Sequence, residues 1–487
     1  MSAAPAPTIV WFRDDLRVAD NPALAAAAAR GGPIVPLYVL DEATAGGGRP
    51  LGSAARWWLA GSLAALSRRL AGLGAPLVLR RGPAAEIVPS FAREIGAGAV
   101  HWNRRYHAAG IAADATVEAA LKAAGVAVES HHANLLHEPS AVTTAAGDPY
   151  RVFTPFWRAV LGRDAPRLPL PAPRHLARLA PSPPGERIDD WHLTPTAPDW
   201  AGGLRAAWRP GEAAAEARLE AFLTDGLAGY ADRRDVPAGE ATSRLSPHLR
   251  FGEISPFRIW HAVAARAAAD PGRLGSGAEK FQAELGWREF SWHLLHHNPG
   301  LAHENFNRRF DSLAWRASDA ATAVAAWRRG LTGVPIVDAG MRALWQTGFL
   351  HNRLRMVVAS FLTKHLLVDW RVGEAWFWDT LVDADAAANP AGWQWVAGCG
   401  ADAAPYFRIF NPVLQGEKFD PGGAYVRRFV PEIAGLPDRF LHRPWEAPAA
   451  ALAEAGLRLG DTYPAPIVDL ADARERALAA YERAKAA

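Results

Sequence analysis

The chain has 487 residues, 50% hydrophobic and 21% charged, with a net charge of +3 and one cysteine, Cys399. That length can fill two cores; one thiol excludes an internal disulfide or a cysteine-rich metal cluster, and no metal is expected. No apolar run reaches the ~18 residues of a membrane span, MSAAPAPTIVWF lacks the pattern of a secretory signal, and the near-neutral charge permits nucleic-acid binding without arguing for it.

The amino-terminal part reads as α/β. Short apolar runs at Thr8–Phe12, Pro33–Leu40, Pro76–Leu79, Ala99–Asn103 and Val126–Ser130 alternate with Ala-rich stretches of helical period, Ser53–Leu73 and Ala108–Ala124. Such alternation implies a doubly wound parallel sheet, a Rossmann-like domain over residues 1–135. No G-x-G-x-x-G follows the first strand, so a dinucleotide fingerprint is absent. From Leu161 to Pro198 the chain is rich in Pro and Arg; residues 136–205 are expected to be an extended interdomain linker. Residues 206–487 read as helical, ending in a charged helix after Asp469.

Four segments of this helical domain carry chemistry. In YADRRDVPAGEATSRLS, the hydroxyls of Thr242, Ser243 and Ser246 stand beside Arg244 and Leu245 at a helix start. Such a start can hold a pyrophosphate or be an ordinary cap. In EKFQAELGWREFSWH, Glu284 and Arg288 are four apart, with Trp287 beside them: an intrahelical ion pair, or the wall of a base-binding cavity. In HNRLRM, Asn352 and Met356 share one helical face, while Arg353 and Arg355 point elsewhere. Finally, Asp383, Asp385 and Asn389 lie among Trp370, Trp376, Trp378, Trp393 and Trp395. Tryptophans at this density need burial, and carboxylates among them need polar partners. A large, flat, polar-edged cofactor would explain both.

Together these segments resemble the photolyase/cryptochrome family. The resemblance runs from WFRDDLR to YPAPIVD and is strongest over Thr332–Asp420. It implies FAD held by Tyr230, Thr242, Ser243, Arg244, Leu245, Ser246, Arg355, Asp383, Ala384, Asp385 and Asn389. Trp393, Trp370 and Trp315 match the family's electron-transfer chain. Arg234, Glu284, Trp287, Arg288, Asn352, Arg353, Met356, Trp395, Arg408 and Gln415 match positions that meet DNA, with Glu284 also counted among the catalytic residues. The subgroup it resembles most is the class I cyclobutane pyrimidine dimer photolyase. There reduced FAD, excited by light, donates an electron to a flipped-out dimer and splits it.

Two positions separate subgroups. Relatives acting on (6-4) photoproducts carry proton-donating histidines where this chain has Asn352 and Met356. Plant-type cryptochromes carry an aspartate where this chain has Asn389, and an asparagine cannot give up a proton at neutral pH. Pro390 departs from the second asparagine often found there. The resemblance therefore implies a monomeric, cytoplasmic repair enzyme acting on UV-damaged DNA. A cryptochrome-type blue-light sensor, and a flavoprotein that binds nucleic acid without repairing it, are the alternatives. A second, antenna chromophore in the α/β domain is a folate, a deazaflavin, a flavin or none. Folate-binding relatives place a glutamate where His107 follows WNRRY, and Arg56 and Trp57 either line a pocket or only pack.

Overall fold

The computed structural model describes residues 5–239, 241–316, 320–403 and 408–486. The first four residues of MSAAPAPTIVWF, residues 317–319 beside Trp315, and Tyr406 and Phe407 of YFRIFNP lie outside the described residues. The chain forms two compact units. One comprises Met1–Ala228, Ser243–Pro299 and Val382–Ala386; the other comprises Gly229–Thr242, Gly300–Leu381 and Ala387–Ala487. This division cuts across the boundary expected at residue 206, because the segment 243–299 clusters with the sheet.

In the first unit, β1 (Thr8–Phe12), α1 (Pro22–Ala29), β2 (Ile34–Leu40), α2 (Ser53–Gly72), β3 (Val78–Arg81), α3 (Ala84–Glu94), β4 (Ala99–Asn103), α4 (Ala108–Ala123) and β5 (Ala127–His131) alternate as expected. The sheet is parallel in the order β3-β2-β1-β4-β5. Every residue of β1, β2 and β4 is buried, which is why these strands read as unbroken apolar runs. Ile9, Trp11, Leu37, Val100 and Trp102 pack with Val88, Phe91, Val117 and Leu121 in one core. The Pro-rich linker closes the free side of the sheet rather than lying loose. Ile34 N–H donates to Ala177 O (2.7 Å), Leu176 N–H to Leu73 O (2.8 Å) and Glu186 N–H to Leu79 O of β3 (3.0 Å).

The same unit holds α5 (Phe153–Leu161), α6 (Ser246–Arg250), α7 (Pro256–Ala269) and α8 (Pro271–His297). Local chemistry sets the starts of the two long helices: Ser255 accepts from Arg258 N–H and Asp270 from Arg273 N–H, each followed by proline at the first helical position. The second unit contains α9 (Ala321–Arg329), α10 (Pro335–Thr347), α11 (Asn352–Ser360), α12 (Trp370–Thr380), α13 (Ala388–Ala397), α14 (Pro412–Phe419) and α15 (Leu470–Ala486). Asp369 caps α12 and Asn411 caps α14, and Gly348 ends α10 in the left-handed region at φ +64°. Among the described residues no helix is long and apolar enough to cross a membrane.

One buried carboxylate ties the first unit together. Glu253 is 0% exposed; its Oε1 accepts from Trp58 Nε1 (3.0 Å), Ser62 Oγ (2.6 Å) and Gly211 N–H (2.7 Å), and its Oε2 from His248. The adjacent Gly252 sits at φ +61°, where a Cβ would fall 2.0 Å from Asp14 O. Replacing Glu253 by Ala leaves these donors buried without an acceptor. It should lower stability by about 3–5 kcal/mol, read as a fall in the urea midpoint, with Glu253→Gln losing less.

Candidate functional site

The first unit gathers one part of the expected constellation. Ser246 opens α6 and donates its hydroxyl to Asp383 Oδ2 at 2.6 Å. Asp383, Ala384 and Asp385 are all buried. Arg250 holds their segment, donating from Nε to Ala384 O (2.8 Å) and from Nη1 to Asp14 (2.8 Å). Arg244 adopts φ +52°, and its guanidinium lies 4.3 Å over the Trp208 ring. Leu245 is buried, and its N–H reaches Ser243 Oγ at 3.4 Å.

On α8, Trp287 stacks on Phe153 of α5 with centroids 3.8 Å apart and planes 10° apart. Gly286 permits this approach, since a Cβ there would lie 2.5 Å from the Trp157 ring. The ion pair that spacing allowed between Glu284 and Arg288 does not form: Arg288 donates to Asn134 O (2.9 Å) and lies 3.5 Å from Glu289. Glu284 is half-buried. Glu289, fully buried, accepts from the N–H groups of Leu136 (2.8 Å) and His137 (3.2 Å).

The second unit gathers the rest. Asn389, in the first turn of α13, donates Nδ2 to the backbone O of Glu374 (3.1 Å) and to its Oε1 (2.8 Å). Both amide hydrogens are thus committed, which fixes the orientation of the side chain. Its Oδ1 accepts from none of the described residues. Pro390 does not disturb this turn. It is the third residue of α13, where N–H groups have no partner inside the helix, and Ala391 N–H closes onto Ala387 O at 3.1 Å.

Trp393 and Trp370 are buried, and Trp315 is half-buried. Trp393 meets Phe377 (4.9 Å) and Trp327 (6.2 Å) edge-on, and its Nε1 is buried without an acceptor among the described residues. Trp370 donates from Nε1 to Asn305 Oδ1 at 2.8 Å. Tyr230 is buried under Arg234, whose guanidinium is 5.6 Å from its ring. Arg234, expected as a surface arginine, is only 13% exposed in its side chain. Thr242 is half-buried.

Asn352 is exposed at the start of α11, and Met356, one turn on, is half-buried. Arg353 is held by Asp235 (2.7 Å) and lies 4.3 Å over the Phe419 ring, while Arg355 Nε donates to Leu350 O (2.7 Å). Burial pushes His351 down to about 4, so the histidine of HNRLRM is neutral at pH 7 and caps α11 by accepting from Arg353 N–H. Arg408 is exposed, Trp395 half-buried, and Gln415 half-buried with Oε1 lacking a partner among the described residues. Glu374, Asn305, Phe153 and Trp327 escaped sequence reasoning: none was singled out by its spacing, and each is defined by a contact distant in the chain.

Residues 8–174 match the family described as DNA photolyase, and residues 281–483 match the FAD binding domain of DNA photolyase. The chain belongs to the photolyase/cryptochrome family. A protein of Agrobacterium fabrum named deoxyribodipyrimidine photo-lyase is 53% identical, over 100% of this chain and 99% of that one. A crystal structure titled as a bacterial class III photolyase from Agrobacterium tumefaciens superposes with a TM-score of 0.96 at 52% identity, covering 100% of this chain and 99% of that one. Cryptochrome-1 of Arabidopsis thaliana is 38% identical over 96% of this chain and 69% of that protein.

This photolyase therefore has an FAD-binding domain. In the second unit Asn389 offers a carbonyl open to an N–H; in the first, Asp383 and Asp385 are buried and the exposed Ser246 reaches Asp383 with its hydroxyl. In the α/β part, the residues considered for an antenna have structural partners. His107 caps α4 by accepting from Gly110 N–H (2.9 Å), Arg56 pairs with Glu42 (2.8 Å), and Trp57 is buried.

Burial raises the Glu289 carboxyl from its ordinary value of 4.5 to about 7. Between those values the folded chain binds a proton that the unfolded chain has lost, so stability falls as pH rises from 4.5 to 7. Glu289→Gln, which cannot titrate, should remove up to about 3 kcal/mol of that slope. Melting midpoints of both proteins across this range check it.

Proposed function

We propose that this photolyase repairs cyclobutane pyrimidine dimers, with the residues above dividing the work. The observation that carries the reading is the full-length match, at 53% identity, to a protein named deoxyribodipyrimidine photo-lyase. FAD, when bound, supplies the light-excited electron that opens the dimer. Tyr230, Thr242, Ser243, Arg244, Leu245, Ser246, Arg355, Asp383, Ala384, Asp385 and Asn389 are assigned to hold it.

Asn389 offers an acceptor and no labile proton, and Glu374 keeps it so turned. This suits a reaction needing no net proton and argues against the sensor reading. Trp287, already stacked on Phe153, offers a flat apolar surface to an unstacked base, and Glu284 binds a base edge. Arg234, Arg288, Asn352, Arg353, Met356, Trp395, Arg408 and Gln415 complete the DNA-facing set. The dimer-repair reading holds for either subgroup: the motifs point to class I, and the solved structure matched at TM-score 0.96 is described as class III. A monomer in the cytoplasm is consistent with a single, buried cysteine.

The test is light-dependent repair of a dimer-containing oligonucleotide; darkness should abolish it, and no repair under light would end the reading. Trp393→Phe should block light-driven reduction of oxidised FAD yet leave repair intact when the cofactor is reduced chemically. Unchanged photoreduction would move the electron entry to another tryptophan. Trp287→Ala should cost about 1–3 kcal/mol of stacking and lower the preference for damaged over intact duplex, without changing the dependence of binding on salt. Equal weakening on both duplexes would place Trp287 outside the base pocket.

A further inference from the structure

We infer that the β4–β5 edge of the sheet carries a binding site for a divalent first-row transition ion, built from His101, Glu129 and His131. Glu129 and His131 are two apart on β5 and so share a face, and His101 is the register partner of Glu129 on β4. His101 Nδ1 lies 3.3 Å from His131 Nε2, and Glu129 Oε2 lies 3.8 Å and 3.9 Å from those two atoms. A point equidistant from three atoms so spaced lies about 2.1 Å from each, the length of zinc–nitrogen and zinc–oxygen bonds.

The arrangement without an ion is poorly satisfied. Three acceptor atoms converge, a single proton can bridge the two imidazoles, and the carboxylate oxygen is beyond hydrogen-bond reach of both. The other carboxylate oxygen, Glu129 Oε1, faces Arg30 at 4.0 Å, leaving Oε2 for the site. Arg104, also near His131, is occupied by Glu138 at 2.6 Å. Entry is open, since the Glu129 side chain is 49% exposed and that of His131 20%. Two imidazoles and one carboxylate suit Zn2+, with water in the remaining position. The ion would fasten β5, which among the described residues pairs with β4 alone, to the rest of the sheet.

The test is calorimetric titration of Zn2+ into the chelator-treated, FAD-loaded full chain, beside Glu129→Gln and His131→Gln, both changes at accessible positions. One saturable site per chain is expected, weakened at least tenfold in each variant. Zn2+ should also raise the melting midpoint of the native chain and not of the variants. A native chain with no saturable site overturns the inference. So does an affinity unchanged in both variants, which would assign the ion to other histidines such as His293 and His297, whose rings lie 4.6 Å apart.

Discussion

What the second unit offers to chemistry depends on how closely α12 and α13 approach. Gly373 makes the contact: a Cβ there would lie 2.1 Å from Trp393 Cη2. With no side chain in the way, the Trp393 indole lies against the backbone of α12 and against Phe377 one turn on. The same approach brings Asn389 to the carbonyl and carboxylate of Glu374. Packing and hydrogen bonding therefore enforce one register between the two helices. Interiors packed at this density do not slide gradually, so a substitution at position 373 would displace the indole and the asparagine together.

Much of the α/β fold was legible because its central strands are covered on both faces and advertise themselves as apolar runs. β3 and β5 were placed one or two residues early. Both are edge strands, where burial is partial and the apolar signal ends before the hydrogen bonding does. The segment assigned to the cofactor stood out through composition, since acids set among tryptophans demand a reason. The partners that give those residues their orientation were not. Glu374 and Asn305 look like ordinary polar residues until folding brings them to Asn389 and Trp370. The i,i+4 spacing of Glu284 and Arg288 suggested a pair, yet a backbone carbonyl at Asn134 and the carboxylate of Glu289 took the arginine instead. Spacing gives opportunity; tertiary contacts decide which opportunity is used.

The arginines assigned to DNA already have work within the chain. Arg353 is paired with Asp235, Arg288 with a carbonyl and Glu289, and Arg234 lies over an aromatic ring. A phosphate arriving at such a group replaces or supplements an existing partner, so the gain is smaller than for a fully solvated cation. Their value lies in position: a guanidinium held in place loses little rotamer freedom on binding. A chain of net charge +3 can bind DNA on these terms if fixed cations set register and an apolar surface such as Trp287 reads the lesion.

The identity of residue 389 then has a consequence beyond its own side chain. Asparagine satisfies Glu374 by donating, so the buried side chain gains a hydrogen-bond partner. An aspartate at the same position would bring two carboxylates within hydrogen-bond distance in a site where Glu374 is only 2% exposed. Like charges so placed repel each other, and an amide that donates removes that conflict. The surroundings of position 389 are therefore a property of residues 389 and 374 together.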